Sequence, residues 1–206
     1  MNDVARGTRN QCCEEDPHAP PRNGRITFLT GCMFSGKTTE MLRRLEAFDT
    51  DAVRTFKHTI DRRYRAEAVV THGGLMRPAV RVDSADAIFP HVEGTTKVVA
   101  IDEAHFFDDR LVDLTREFAE RGMGVILTAL NLSSWGQPFA VTERLHEIAD
   151  ESLVLTAACA NCGASALHTQ RITPLVGTDI VGGAESYEPR CTRCWHPPPE
   201  PPPSGM

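Results

Sequence analysis

No stretch of this 206-residue chain approaches the roughly 18 consecutive apolar residues that a membrane-spanning helix needs. The N-terminal segment also lacks the apolar core of a secretory signal. The expectation is a cytoplasmic protein without a membrane partner. Excess positive charge is missing too: 22 Lys and Arg stand against 28 Asp and Glu, a formal net charge of -6. Proteins that grip a polyphosphate backbone do so through clustered cations, so nucleic acid is not an expected partner. Length sets a further bound. A chain of 206 residues builds one ordinary domain with a small appendage, and is too short for two full α/β domains.

Both ends lack hydrophobic periodicity. Residues 1–23 mix Pro, Asn, Arg and acidic residues, and residues 197–206 are mostly proline; both read as disordered tails. Cys12 and Cys13 lie in the first tail and are expected to be free thiols, since adjacent cysteines are poorly placed for a strain-free ring or a chelate. Between the tails the expected organisation is an α/β domain over 24–150 and a small cysteine-bearing domain over 151–196.

What is present is a phosphate-binding pattern. Gly31, Cys32, Met33, Phe34, Ser35, Gly36, Lys37 and Thr38 fit Gly-x4-Gly-Lys-Ser/Thr and follow the apolar run from Arg25 to Thr30. Glycines let successive amide N–H groups turn inward on phosphates, and the helix behind adds the positive end of its dipole. Lys37 would then meet the β- and γ-phosphates and Thr38 would offer its hydroxyl to Mg²⁺. Alternating strands and helices are expected to follow. The helix from about Lys37 to Phe48 puts Met41, Leu42, Leu45 and Phe48 on one face. Strands are predicted at 52–57, 76–82, 97–101 and 124–129, with an amphipathic helix over Asp109 to Arg121 stopped by Gly122. The polar segment from His58 to Gly74 reads as a loop near the phosphates.

The strand Val98-Val-Ala-Ile101 runs into Asp102-Glu103, the Walker B arrangement. Mg²⁺ wants hard oxygen ligands, which suits Asp102, and the neighbouring Glu103 is left to take a proton from whatever attacks the γ-phosphorus. Asp102-Glu-Ala-His105 also spells a helicase signature. Such motors close ATP between two α/β domains, for which this chain has no room.

Cys159-Ala-Asn-Cys162 and Cys191-Thr-Arg-Cys194 form two knuckles of the kind that grip tetrahedral zinc. A disulfide is the weaker reading in a cytosolic chain. Four thiolates leave no open position for water, which makes the metal structural. The long segment between the pairs contains Val181-Gly-Gly-Ala-Glu-Ser-Tyr187 and reads as a zinc-anchored lid over a substrate pocket.

Gly31 to Thr38 with its inner Met-Phe-Ser, Asp-x-Arg-Tyr at Asp61 to Tyr64, Asp102-Glu-Ala-x-Phe-Phe107, both cysteine pairs and Gly-Gly-Ala-x-x-Tyr together resemble the type II thymidine kinases. The resemblance covers about residues 25–195. It implies a RecA-like P-loop parallel sheet flanked by helices, followed by a small zinc-ribbon or lasso domain, in a cytosolic homotetramer. It implies ATP and thymidine as substrates, with Mg²⁺ and structural Zn²⁺ as cofactors. Carried over residue by residue, it gives Lys37 the phosphates, Thr38 and Asp102 the magnesium, Glu103 the role of base and Arg63 the charge on the transferring phosphoryl group. The thymine pocket would take Met33, Phe106, Leu130, Phe139 and Tyr187 as apolar walls, Thr169 beside the methyl group, and backbone near Val181 on the base edge. Each wall residue suits an ordinary core position equally well.

Four departures touch function. Leu130-Asn131-Leu132-Ser133-Ser134 followed by Trp135 replaces the family's Leu-Asp-Gly-Thr-Phe, while His105, Cys32 and Arg62 stand where Gln, Pro and Thr are usual. Trp135 replaces the lost aromatic after a one-residue shift, or else the pocket is wider. A nucleotide-binding paralogue with altered or lost nucleoside specificity is the alternative.

Overall fold

Fully apolar strands between amphipathic helices demand a sheet covered on both faces, and the computed structural model shows one. It describes residues 24–61, 68–70, 74, 76–174 and 182–199. The expectations placed on Arg62, Arg63, Tyr64, Val181, Cys12, Cys13 and both tail interiors lie outside the described residues. In chain order the strands are β1 (Ile26–Gly31), β2 (Val53–His58), β3 (Ala68–Val70), β4 (Met76–Pro78), β5 (Val80–Val82), β6 (Val98–Asp102), β7 (Gly124–Leu130), β8 (Glu151–Leu155), β9 (Ala157–Ala158), β10 (Ser165–Ala166), β11 (His168–Arg171) and β12 (Tyr187–Arg190). The helices are α1 (Lys37–Leu45), α2 (Arg110–Glu120) and α3 (Ala140–Ile148).

Six strands make the main sheet in the order β5-β2-β6-β7-β1-β8, and every neighbouring pair is parallel. β7 lies between the strand that feeds the phosphate loop and the strand that ends in carboxylates. The period-2 alternation of each strand divides its side chains between two cores. Leu29, Val98, Ala100 and Ile126 face Met41, Leu42 and Leu45 of α1. Phe28, Val99, Ile101, Val125 and Leu127 face Leu111, Leu114 and Phe118 of α2 and Val141 and Leu145 of α3. Two small hairpins, β9 with β10 and β11 with β12, carry the cysteine knuckles.

The elements depart from expectation in four places. α1 stops at Leu45, because the chain tightens into a turn in which the Phe48 N–H bonds Leu45 O at 3.2 Å; Phe48 still packs on the same core. The predicted strand over 76–82 is two strands in different sheets. β4 pairs antiparallel with β3, and β5 joins β2 in parallel; Pro78 has no N–H to extend a ladder, and Ala79 is the step between them. β3 accordingly occupies part of the segment expected to be loop. α3 and β8 were not expected at all, and β8 extends the main sheet through Leu155, past the boundary placed at 150.

A buried ion pair ties α1 to that edge strand. The Arg44 side chain is fully buried, with Nε on Glu40 at 2.8 Å and Nη1 on Glu151 at 2.8 Å. Burying a guanidinium is tolerable only with such partners. Arg44→Met is therefore expected to lower the unfolding free energy by about 1–2 kcal/mol, since Glu40 and Glu151 lose this buried partner while Glu40 keeps Arg43, whose Nε lies 2.9 Å from its Oε2. Denaturant titration checks this, and an unchanged midpoint would mean that the pair contributes nothing net.

Candidate active site

β1 delivers the chain into the phosphate loop at Gly31, where the backbone leaves no room for a side chain. A Cβ at Gly31 would lie 2.2 Å from Leu155 O and 2.6 Å from Ser35 Oγ. With φ at +148° the residue must be glycine on conformational grounds as well. The loop then closes on itself. Ser35 N donates to Cys32 O, and the buried Lys37 reaches back to donate from Nζ to the same carbonyl at 2.8 Å. Gly36 precedes the first residue of α1 in the left-handed region, and Phe34 has φ +65°. The expected loop residues Gly31, Cys32, Met33, Phe34, Ser35, Gly36, Lys37 and Thr38 thus form one cradle at the N-terminus of α1.

Across β7, Thr38 Oγ1 donates to Asp102 at 3.1 Å from Oδ1 and 3.3 Å from Oδ2. Thr128, on β7 between them, donates a short hydrogen bond to Asp102 Oδ1, and its Oγ1 accepts the Glu103 N–H at 3.1 Å. Burial, then the charge of Glu103, raise the Asp102 carboxyl to about 6; Asp61, itself buried, adds to the rise. A carboxylate held ionised here at a cost, beside a threonine hydroxyl, fits a hard cation such as Mg²⁺, which would offset that cost. Glu103 is in the left-handed region, φ +54°. For a non-glycine residue this costs on the order of 1 kcal/mol, and such residues cluster at functional sites.

His105 connects this corner to a cavity. Its Nδ1 accepts the Leu130 N–H at 3.2 Å and lies 3.4 Å from Glu103 Oε2. While Nδ1 accepts that hydrogen bond, a neutral ring carries its proton on Nε2. The imidazole packs against Phe106, with centroids 4.2 Å apart, and Phe139, at 5.0 Å.

The cavity has a volume of about 530 Å³, the size of a small-molecule site. Met33, Phe106, Leu130, Phe139, Thr169 and Tyr187, all expected as pocket residues, line it together with Trp135. Trp135 is thus an aromatic of the cavity wall. Gly182 of the expected lid, and His105, Ser133 and Ser134 among the departures from the family pattern, also line it. Thr169 Oγ1 accepts the Met33 N–H at 3.0 Å, which joins the pocket wall to the phosphate loop. Tyr187 is held by Arg171, whose Nη1 donates to its hydroxyl at 2.7 Å and whose guanidinium lies 5.3 Å from the ring centre.

The sulfurs of Cys159, Cys162, Cys191 and Cys194 lie within 4.8 Å of one another. Cys162 Sγ is 3.6 Å from Cys191 Sγ and 3.7 Å from Cys194 Sγ. Tetrahedral zinc with bonds of about 2.3 Å separates its thiolates by about 3.8 Å, so the four fit that ion. Backbone N–H groups, that of Cys191 foremost, draw the Cys159 thiol down to about 6, toward the ligand form. The site abuts the phosphate loop, for Cys32 packs among Cys159, Cys191 and Ala166 and its Sγ donates to Ala166 O at 3.3 Å. Among the described residues no helix is long and apolar enough to cross a membrane.

A family model described as thymidine kinase matches residues 24–195.

Two outcomes test this geometry. Asp102 is ionised in the fold only above about 6, against 3.8 when unfolded, so its charge removes stability as pH rises through that window and the full cost persists above it. Asp102→Asn should raise the melting temperature of nucleotide-free protein at pH 7.5 by a few degrees, each kcal/mol being worth about 2–4 °C, with the gain vanishing near pH 4. A lower melting temperature at pH 7.5 would show that the threonine bonds outweigh the charge. Metal analysis should find one zinc per chain, released when Cys191→Ser removes a thiolate; protein containing no zinc when purified without chelator would contradict the fit.

Proposed function

The chain belongs to the thymidine kinase family, and from that premise we propose that it transfers the γ-phosphoryl group of ATP to the 5′-hydroxyl of thymidine, giving thymidine monophosphate in deoxynucleoside salvage. The observation that carries this reading is the placement of Glu103, beside Asp102 on one side and 3.4 Å from a His105 that lines an aromatic cavity on the other. A base belongs at such a boundary between a phosphate site and a hydroxyl-bearing acceptor.

In this reading Lys37 and the inward amides of Gly31 to Thr38 hold the phosphates, and Arg63 steadies charge on the transferring group. Thr38 and Asp102 hold Mg²⁺, which when bound neutralises phosphate charge. Glu103 accepts the proton of the 5′-hydroxyl as the oxygen attacks the γ-phosphorus, and the bond to the bridging oxygen of the departing ADP breaks. Met33, Phe106, Leu130, Phe139 and Tyr187 enclose the base, with Thr169 near its methyl group and the backbone near Val181 on its polar edge. Peptide groups suit that edge because they supply both donors and acceptors without burying charge. Trp135 in the cavity wall favours a retained nucleoside pocket over the paralogue that has lost one. Zinc is structural, and the resemblance extends the proposal to a cytoplasmic homotetramer.

The test is ATP- and Mg²⁺-dependent phosphorylation of a nucleoside panel by wild type and Glu103→Gln. Thymidine turnover should fall by about 10²- to 10⁴-fold in the variant while ATP affinity is kept. Undiminished turnover would remove Glu103 from the role of base, and ATP binding without any nucleoside product would favour the paralogue.

A further inference from the structure

The loop from Asn131 to Gln137, which departs from the family pattern, is fastened to the cysteine unit at two points. At its start Asn131 Nδ2 donates to Leu167 O at 3.0 Å. At its far side Trp195 Nε1 donates to Ser134 O at 3.3 Å, and the indole covers Gly136 so closely that a Cβ there would be 2.7 Å from Cη2. Gly136 also has φ +74°, so the turn needs glycine for its backbone as well as for the contact. Between these fastenings Ser133, Ser134 and Trp135 line the cavity.

Trp195 is itself fixed by the second knuckle. It follows Cys194 directly, and its N–H donates to Cys191 O at 3.0 Å. Its ring stacks on His168, with centroids 4.6 Å apart and planes 15° from parallel. His168 precedes Thr169, the residue that meets Met33 in the pocket wall. One side chain thus contacts the cysteine knuckle, the strand behind the pocket and the loop that forms the pocket's variable wall. Trp195 does not line the cavity.

We propose that Trp195 is a positioning residue that locks the Ser133–Trp135 wall of the acceptor pocket to the four-cysteine unit, so that this unit sets which nucleoside is accepted as well as how stable the fold is. The proposal rests on the kinase reading for the identity of the acceptor, but the mechanical link does not. Without the latch the wall has several conformations to lose on binding, and this raises the acceptor's dissociation constant while leaving the phosphate cradle and Glu103 in place.

The experiment uses the full chain with zinc content measured throughout. Trp195→Ala should keep its zinc, weaken thymidine binding by calorimetry and raise the KM for thymidine by roughly 10-fold, with kcat and the KM for ATP within about twofold. Trp195→Phe, which keeps the stacking but loses the N–H, should lie between. Amide hydrogen exchange over residues 131–137 should quicken in Trp195→Ala without any nucleoside present. If Trp195→Ala does not fold, Gly136→Ala strains the same contact from the other side and should give the same split. Unchanged exchange in the loop, or a lower melting temperature with unchanged thymidine affinity, would overturn the inference. Quickened exchange in Trp195→Ala, together with a wild type that binds no nucleoside, would uphold the latch and defeat the kinase reading.

Discussion

The hydroxyl of Thr128 holds together what the rest of the site depends on. It accepts the backbone N–H of Glu103 and donates to the carboxylate of Asp102, so one side chain fixes the two acids in relation to each other. It can do so because β7 is inserted between β1 and β6 in an all-parallel sheet. The carboxyl ends of all three strands lie at one edge, and ligands of open α/β sheets bind at such an edge. Thr38 approaches from β1 and α1, Asp102 from β6, and Thr128 joins them from the middle. Burial, and then the charge of Glu103, raise the proton affinity of Asp102, a cost that a bound cation would offset.

Features that depend on a few residues of fixed type at fixed spacing were legible in the sequence. The loop Gly31 to Thr38, the pair Asp102 and Glu103, and the four cysteines are local in the sequence or clustered in the fold, while the described residues that the resemblance assigned to a pocket line one cavity. Features that depend on partners distant in the chain were not. β8 alternates between half-buried and exposed positions, because an edge strand packs on one side only, and it offers little apolar signal. The first turn of α3 contains Val141 and Thr142, weak helix formers that tertiary packing overrides. The break at Ala79 depends on which neighbour each half of the segment meets, and no local pattern encodes that. His105 looked like a helicase residue or a departure from glutamine. Its meaning comes from the Leu130 N–H that it accepts and the cavity it lines.

The cysteine unit is more than an appendage because the phosphate loop leans on it. Cys32 is packed among its sulfurs, and Met33 bonds Thr169 on β11. The phosphate loop and the cavity therefore share a wall at Met33. Cys32, where the resemblance leads one to expect proline, adds a sulfur-to-carbonyl hydrogen bond to Ala166 that proline could not make.

The close passage of Gly31 against Leu155 O has a consequence for how the chain is made. β1 emerges early from the ribosome, yet both of its sheet neighbours, β7 and β8, are encoded near the other end of the domain; Ile26 N bonds Asp150 at a separation of 124 residues. A nascent chain thus carries its nucleotide-binding signature long before it can hold a nucleotide. Closing so large a loop is slow. Until residue 130 has been synthesised β1 has no sheet neighbour, and until residue 155 it keeps an open edge, so it needs protection from other nascent chains.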